Sequence, residues 1–289
     1  MTTRVSIEAF AKLNLWLRVR GEAPDGYHDI ETLFHAIELH DDVSVSVAPN
    51  GERTIDCSED VGPDADNLAF RAAIAYCEVA RWRTGFHVAI TKRIPSAGGL
   101  GGGSSDAAAT LVALQRMSPT RLDADALSNV ARDLGADIPF LLSREPAALA
   151  WGRGDRLLPV PALPQKHVAL VVPDFGISSA EAYRTLPDSG PKPLGQRTQA
   201  DARDWAAVQE RAGNDLAKSV AVRSHGKIGA AISALRASGA FMADLTGSGS
   251  VVFGIFDSEP DSAELRRATG SRVILTRTAD GVEGPTSLD

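Results

Sequence analysis

The spacing of apolar positions changes several times along the first half of the chain, and each change marks an element. In "KLNLWLRV", Leu13, Leu15, Leu17 and Val19 alternate with Lys12, Asn14, Trp16 and Arg18. A period of two predicts a half-buried strand with Lys12 and Asn14 on one side. "IETLFHAIEL" and "DVSVSVAP" predict two more strands, and "FHVAIT" another with Phe86, Val88 and Ile90 on one face. Asp66 and Asn67 read as the start of a helix through "LAFRAAIAYCEVARW". Helices are also predicted over 104–117, from "ADIPFLL", and over 123–134 with Leu127, Val130 and Leu134 inside and Gly135 as the stop. "GEAPDGY" is punctuated as a turn.

Near residue 155 the texture changes. "RLLPVPALPQ" is proline-rich and predicts a domain boundary, with one domain over 1–155 and a second over 156–289. "HVALVVP", "VVFGIF" and "RVILTR" predict strands of the second domain. The stretch 187–202 is polar without a period, and residues after Ala279 read as a frayed tail.

Composition narrows the function. At 289 residues the chain is long for one core, which favours two domains. No apolar run approaches the ~20 residues of a membrane span. "MTTRVSIEAFAKLNL" lacks the apolar region of a signal peptide. Cys57 and Cys77 make neither a disulfide framework nor a metal cluster. A cytoplasmic protein with no membrane partner is expected. The net charge of −7 argues against a nucleic-acid surface, yet leaves room for a small anion held by local donors.

The densest chemistry lies in "IPSAGGLGGGSSDAAATL", where five glycines fall between positions 98 and 103. A flexible linker would not sit between a strand and an alanine-rich helix. A Walker-type loop needs a lysine where Gly103 precedes Ser104, and no frame fits a dinucleotide fingerprint. A protein-kinase glycine loop joins two strands, whereas here a helix follows. What fits is a glycine loop feeding a helix N-terminus. Bare N–H groups and the helix dipole would hold phosphate oxygens there, with Ser104 or Ser105 as hydroxyl donors or as a Mg²⁺ ligand. Asp106 suits the first turn as a capping residue or, alternatively, a catalytic group.

"IPSAGGLGGGSSDAA" resembles the second motif of the GHMP kinases. "FAKLNLWLRV" resembles their first motif and "LTGSGSVVFGIF" their third, so the resemblance runs from Phe10 to Phe256. It implies a two-domain α+β GHMP-kinase fold with the active-site cleft between the domains. It also implies phosphoryl transfer from ATP with Mg²⁺ to a small alcohol. "AKLNL" followed by "DGYHDIETLF" resembles one branch, whose alcohol carries a cytidine diphosphate handle and belongs to non-mevalonate isoprenoid synthesis. A kinase for another alcohol, such as homoserine, is the rival within the family. A nucleotide-binding module without turnover is the rival outside it.

The resemblance assigns Asp137, in "LGADIPF", as the base that takes the alcohol proton; local sequence alone equally allows a helix cap. Lys12 matches the active-site lysine, which would offset charge growing on the attacking oxygen. Asn14 would position the alcohol. Tyr27 and His28 fall in the cytosine-contacting motif, Phe34 in the substrate pocket, and Tyr183 where an aromatic sandwiches the base with Tyr27. Pro95, Ser96, Ala97, Gly98, Gly99, Leu100, Gly101, Gly102, Gly103, Ser104 and Ser105 would hold the triphosphate, with Asn67 and Lys92 near adenine or ribose. Gly247 and Gly249 would shape the third motif beside the phosphates, and Asp215, in "GNDLA", reads as structural. No carboxylate pair dedicated to metal is evident, so Mg²⁺ would be held by phosphates, a loop serine and water. The expected assembly is a monomer or homodimer.

Overall fold

The computed structural model describes residues 3–22, 26–48, 51–187, 199–223, 225–282 and 286–287. Most of the unpatterned 187–202 stretch and part of the predicted turn over 21–27 lie outside them.

The first half builds one sheet and the helices that cover it. Its strands are β1 (Arg4–Glu22), β2 (His28–Ala48), β3 (Arg53–Cys57) and β4 (Gly85–Thr91), then β5 (Ala147–Gly152) and β6 (Arg156–Pro159). The order β1-β2-β4-β3 forms the main path, and β5 branches from β2 to carry β6. The helices are α1 (Leu68–Val79), α2 (Gly102–Met117), α3 (Ala124–Leu134) and α4 (Ile138–Ser143). β6 still belongs to this sheet, so the change of sheet falls within the prolines after Pro159.

The second half forms a four-stranded antiparallel sheet in the order β11-β7-β10-β9. Its members are β7 (His167–Val172), β9 (Met242–Leu245), β10 (Val252–Phe256) and β11 (Arg272–Arg277). Between and after β7 and β9 come α5 (Ser179–Arg184), β8 (Gly213–Asn214), α6 (Trp205–Glu210), α7 (Val220–Arg223), α8 (Gly226–Ala237) and α9 (Ser262–Thr269). Two pieces of this half return to the first sheet. β8 pairs with β1 in parallel at Trp16–Leu17, and β12 (Thr286–Ser287) pairs with β1 at Val5–Ser6. Residues 286–287 therefore pair with β1 of the first sheet, which corrects the expectation of a frayed tail at those two positions.

Three apolar cores stack these parts into four layers. One lies between α1–α3 and the β1/β2/β4 face, with Val5, Val45, Val88, Tyr76 and Leu114. A second lies between the two sheets, where Leu13, Leu15 and Leu33 meet Leu170, Phe253 and Ile255. A third packs the far face of the second sheet on α8 and α9 through Val171, Leu235 and Leu265. Burial from both sides explains why β1 is not half-buried, and Lys12 and Asn14 are as enclosed as Leu13.

The strict alternation expected along β1 also breaks. The register with β2 slips between Asn14 and Trp16, a bulge that turns the strand by one residue. Lys12 and Asn14 face the large cleft before the bulge, and Leu17 and Val19 face it afterwards. The four aliphatic residues of "LNLWLRV" are therefore split, Leu13 and Leu15 to the inter-sheet core, Leu17 and Val19 to the cleft wall. "IETLFHAIEL" and "DVSVSVAP", read as two strands, are one continuous β2.

Candidate active site

A cleft of about 1220 Å³ runs between the lobes and collects residues from all three motifs. Its floor is the glycine loop. Gly101, at φ +76°, caps α2 in the left-handed conformation that glycine takes without a Cβ penalty. The small residues Ala107, Ala108 and Ala109 are buried and let α2 sit close against the sheet.

The glycines answer to protein neighbours as well as to a ligand. A Cβ on Gly99 would stand 2.1 Å from the Thr246 carbonyl oxygen, and one on Gly98 would stand 2.6 Å from Val251. Both neighbours belong to the third motif, which also binds the loop through Val251 N–H to Gly98 O and Thr246 Oγ1 to Gly99 O. A Cβ on Gly101 would lie 3.2 Å from the Lys12 stem, and one on Gly247 would lie 3.5 Å from its Nζ. The two glycines thus leave a passage through which Lys12 reaches the cleft. At Gly103 the nearest protein atom would be 3.7 Å away, so there the missing side chain leaves space for something else.

Lys12 Nζ donates to Asn14 Oδ1 at 2.7 Å and stands 3.3 Å from the Asp137 carboxylate. Asn14 is fixed in turn, because its Nδ2 donates to Thr32 and its backbone N–H to Thr246 Oγ1. Asp137 begins α4 but makes no side-chain cap, so its carboxylate is turned to Lys12 and the cleft. The helix-cap reading of Asp137 is thereby removed.

Asp106 is a correction. The helix starts at Gly102, so Asp106 lies beyond the first turn and caps nothing. It is buried with Lys92 and Asp41: Lys92 Nζ donates to Asp106 at 2.7 Å and to Asp41 at 2.5 Å. Burial first, and then the neighbouring Asp41 charge, push the Asp106 carboxyl up to about 7, against the lowering pull of Lys92. Lys92 is raised because those two carboxylates outweigh its own burial. Lys92 lines the cleft beneath Gly102, so it sits under the phosphate loop as part of an ion cluster. Asn67 lines the cleft too and caps α1 through Ala69 N–H.

Ser104 lines the cleft, whereas Ser105 is buried and donates to Phe10 O at 2.7 Å. Ser105 is therefore spent on holding α2 to β1 and is no longer a candidate metal ligand. Phe34 is another correction: it is fully buried, stacks on Phe140 at 4.9 Å, and backs Lys12 at 5.4 Å. It supports the lysine from behind and does not line the cleft.

The opposite end of the cleft is aromatic. His28 stacks on Tyr183 at 5.0 Å, while Tyr27 is exposed with the Arg153 guanidinium 3.8 Å above its ring. The Tyr183 hydroxyl is pushed up by burial and by the Asp137 charge. Tyr183 thus pairs with His28 here, where the expectation joined it to Tyr27. Arg153, Arg184 and the apolar wall of Leu17, Val19, Ile30 and Leu216 complete this end. Neither arginine was singled out from sequence, because one falls in a glycine turn and the other at a helix end. Asp215 is structural: it accepts from Val19 N–H and Lys218.

The GHMP kinases N terminal domain matches residues 67–144 and the GHMP kinases C terminal domain matches residues 197–273. The chain belongs to the GHMP kinases, and it is a small-molecule kinase with ATP as co-substrate. A curated relative from Pelotomaculum thermopropionicum, a 4-diphosphocytidyl-2-C-methyl-D-erythritol kinase, is 38% identical over 93% of this chain and 96% of its own. One of the same name from Geobacter metallireducens is 35% identical over 96% and 95%. The crystal structure of a 4-(cytidine 5'-diphospho)-2C-methyl-D-erythritol kinase superposes with a TM-score of 0.77 at 33% identity, covering 96% of this chain and all of that one, 100%. A homoserine kinase from Cytophaga hutchinsonii shares the fold at a TM-score of 0.69 and 14% identity, covering 99% and 98%. Among the described residues no helix is long and apolar enough to cross a membrane.

Proposed function

We propose that the chain transfers the γ-phosphoryl group of ATP to the 2-hydroxyl of 4-diphosphocytidyl-2-C-methyl-D-erythritol, a step of non-mevalonate isoprenoid precursor synthesis. The observation that carries this reading is the Lys12–Asp137 pair, 3.3 Å apart, in a cleft with a glycine-lined helix mouth and an aromatic end. The relatives' shared name supports the cytidyl substrate.

The glycine loop and the N-terminus of α2 hold the triphosphate by backbone N–H groups. The substrate oxygen attacks the γ-phosphorus, the bond to the bridging oxygen breaks, and the alcohol proton passes to Asp137. Lys12 offsets charge on the attacking oxygen, and Asn14 holds Lys12 in place. Tyr27, His28 and Tyr183 receive the cytosine by stacking and edge hydrogen bonds. Among the described residues no cluster of three metal-binding side chains exists, while Ser104 lines the cleft at the helix mouth. That donor set fits a Mg²⁺ ion held by nucleotide phosphates, Ser104 and water, and such an ion neutralises phosphate charge when bound.

The test is ADP release with the cytidyl alcohol, homoserine and mevalonate as acceptors. Turnover confined to the cytidyl alcohol is expected. Turnover with homoserine instead, or ATP binding without turnover of any acceptor, would remove this function.

A further inference from the structure

The glycine loop has few side chains with which to pack, and glycine loses more conformational freedom than any other residue when its backbone is fixed. Its entry, at residues 92–94, shows how it is held. β2 and β4 pair from Ala48–Gly85 to Asp42–Thr91, and their ladder ends there. The chain then leaves the sheet for Pro95 and the loop, so its next N–H groups need other acceptors. Lys92 N–H donates to Ser58 Oγ at 2.8 Å. Arg93 N–H and Ile94 N–H both donate to Asp41 Oδ1, at 2.5 and 2.8 Å. Asp41 is the β2 residue next to the last ladder pair, and it is wholly buried. Its carboxylate takes over where the strand pairing stops.

The other oxygen of the same carboxylate reaches the far end of the loop. Asp41 Oδ2 accepts from Lys92 Nζ at 2.5 Å, and Lys92 Nζ also donates at 2.7 Å to Asp106, on α2. The limb that enters the loop and the helix that leaves it are thus joined through one lysine, among buried groups. Electrostatics alone does not account for this cluster beneath a phosphate site. Two carboxyl groups face one ammonium, so a triphosphate is offered no surplus of positive charge. A buried ion pair also contributes little more to stability than apolar side chains of like size. What the arrangement supplies is a fixed distance between the two ends of the loop.

Resting on the assignment of the glycine loop to the ATP phosphates, we propose that Asp41 is a positioning residue for phosphoryl transfer. It touches no substrate. It closes a clasp at the base of the loop, with two backbone N–H groups on one oxygen and the Lys92–Asp106 link on the other. The loop N–H groups are thereby aimed before ATP arrives, and less ordering is left to be done on binding.

The experiment is calorimetric titration of ATP and of adenosine into the full chain, as wild type, Asp41→Ala and Asp41→Asn, beside steady-state kinetics with ATP and the cytidyl alcohol. Asp41→Ala should weaken ATP by roughly tenfold, because the loop must then be ordered by the ligand. Adenosine affinity and KM for the cytidyl alcohol should stay within about twofold of wild type, which a general loss of structure would not allow. Asparagine keeps an oxygen for the two N–H groups and gives up only the charge toward Lys92. Asp41→Asn should therefore recover ATP affinity to within about threefold of wild type. In ligand-free wild type the Arg93 and Ile94 amides should already be protected from hydrogen exchange, a measurement that stands even if Asp41→Ala fails to fold. Amides that exchange freely until ATP is added would overturn the proposal. So would a preference for ATP over adenosine that Asp41→Ala leaves unchanged, or a loss in Asp41→Asn as large as in Asp41→Ala, which would place the effect on the lysine charge. Wild type that binds adenosine as tightly as ATP would instead remove the loop as the phosphate site, and the clasp with it.

Discussion

Lys12 and Asp137 stand 3.3 Å apart and divide their exposure unevenly, the lysine side chain 3% accessible and the aspartate 31%. The cation is walled in by Phe34, Gly101 and Gly247, and the carboxylate is the member of the pair open to the cleft. That asymmetry suits a proton acceptor backed by a fixed positive charge. Asp137→Asn is expected to lower kcat by roughly 10²–10⁴-fold while leaving KM for both substrates nearly unchanged. Steady-state kinetics with the cytidyl alcohol decides it; retained turnover would remove Asp137 as the base.

Tyr27 is the most exposed large apolar side chain among the described residues, at 57%. A ring held out in this way contributes little to folding. Tyr27→Ala should leave thermal stability unchanged and raise KM for the cytidyl substrate by about tenfold, the worth of one stacked base. ATP affinity should not move. A collapse of ATP affinity would mean that the two ends of the cleft have been exchanged.

Gly99 in the loop and Gly103 in the first turn of α2 should respond differently to the same change. Gly99→Ala drives a Cβ into the Thr246 carbonyl at 2.1 Å from a φ of +78°, and a loss of about 2–4 kcal/mol in unfolding free energy is expected. Gly103→Ala meets nothing closer than 3.7 Å and should leave folding intact while weakening ATP, because the new methyl group faces the phosphate space. Denaturant melts beside ATP titration separate the two. Equal loss of stability at both positions would contradict the assignment of different roles.

The Asp41–Lys92–Asp106 cluster gives folding a pH dependence of unusual sign. Folded Asp106 keeps its proton up to about pH 7, and an unfolded carboxyl releases it near 3.8. Unfolding between those values releases a proton, so the contribution of Asp106 to stability falls as pH rises through the window. Asn at this position does not titrate. Relative to wild type, Asp106→Asn should therefore be about 2 kcal/mol better off at pH 8 than at pH 5. Urea melts at the two pH values measure the difference, and a constant gap would show that Asp106 does not titrate in that range.

His35 works in the other direction. Its ring is fully buried, Nδ1 donates to the Ala36 carbonyl, and burial lowers its pKa from 6.5 to about 4. The unfolded chain gains a proton below pH 6.5 that the folded chain refuses, so stability is full above that value and is lost as pH falls toward 4. The loss should reach about 3 kcal/mol, and His35→Gln should flatten it. The ring lies 6.0 Å from Trp205, so indole fluorescence can follow the transition.

Much of this molecule was legible in the sequence because its motifs are local. The glycine run before an alanine-rich helix announces an anion site whatever surrounds it, and Lys12 and Asn14 share a side because no bulge separates them. Leu17 and Val19 were misassigned because the bulge just past Asn14 depends on pairing with β2, which periodicity does not encode. Phe34 and Ser105 were overcounted for a related reason. Nothing in a linear pattern says whether a side chain one residue from the site points into the cleft or behind it. Asp106 looked like a cap until its partners arrived from Asp41 and Lys92, far away along the chain.

Thr246 accepts from the Asn14 amide and donates to the Gly99 carbonyl, so one hydroxyl fastens the lysine-bearing strand to the phosphate loop. Shape changes on substrate entry are therefore expected at the two outer ends of the groove. A hydrogen-bonded bracket joins the strand that faces the acceptor to the loop that faces the donor phosphates. A single inhibitor that joins both substrates would need a tether of one length, and lengthening it should cost affinity without any compensating adjustment by the enzyme.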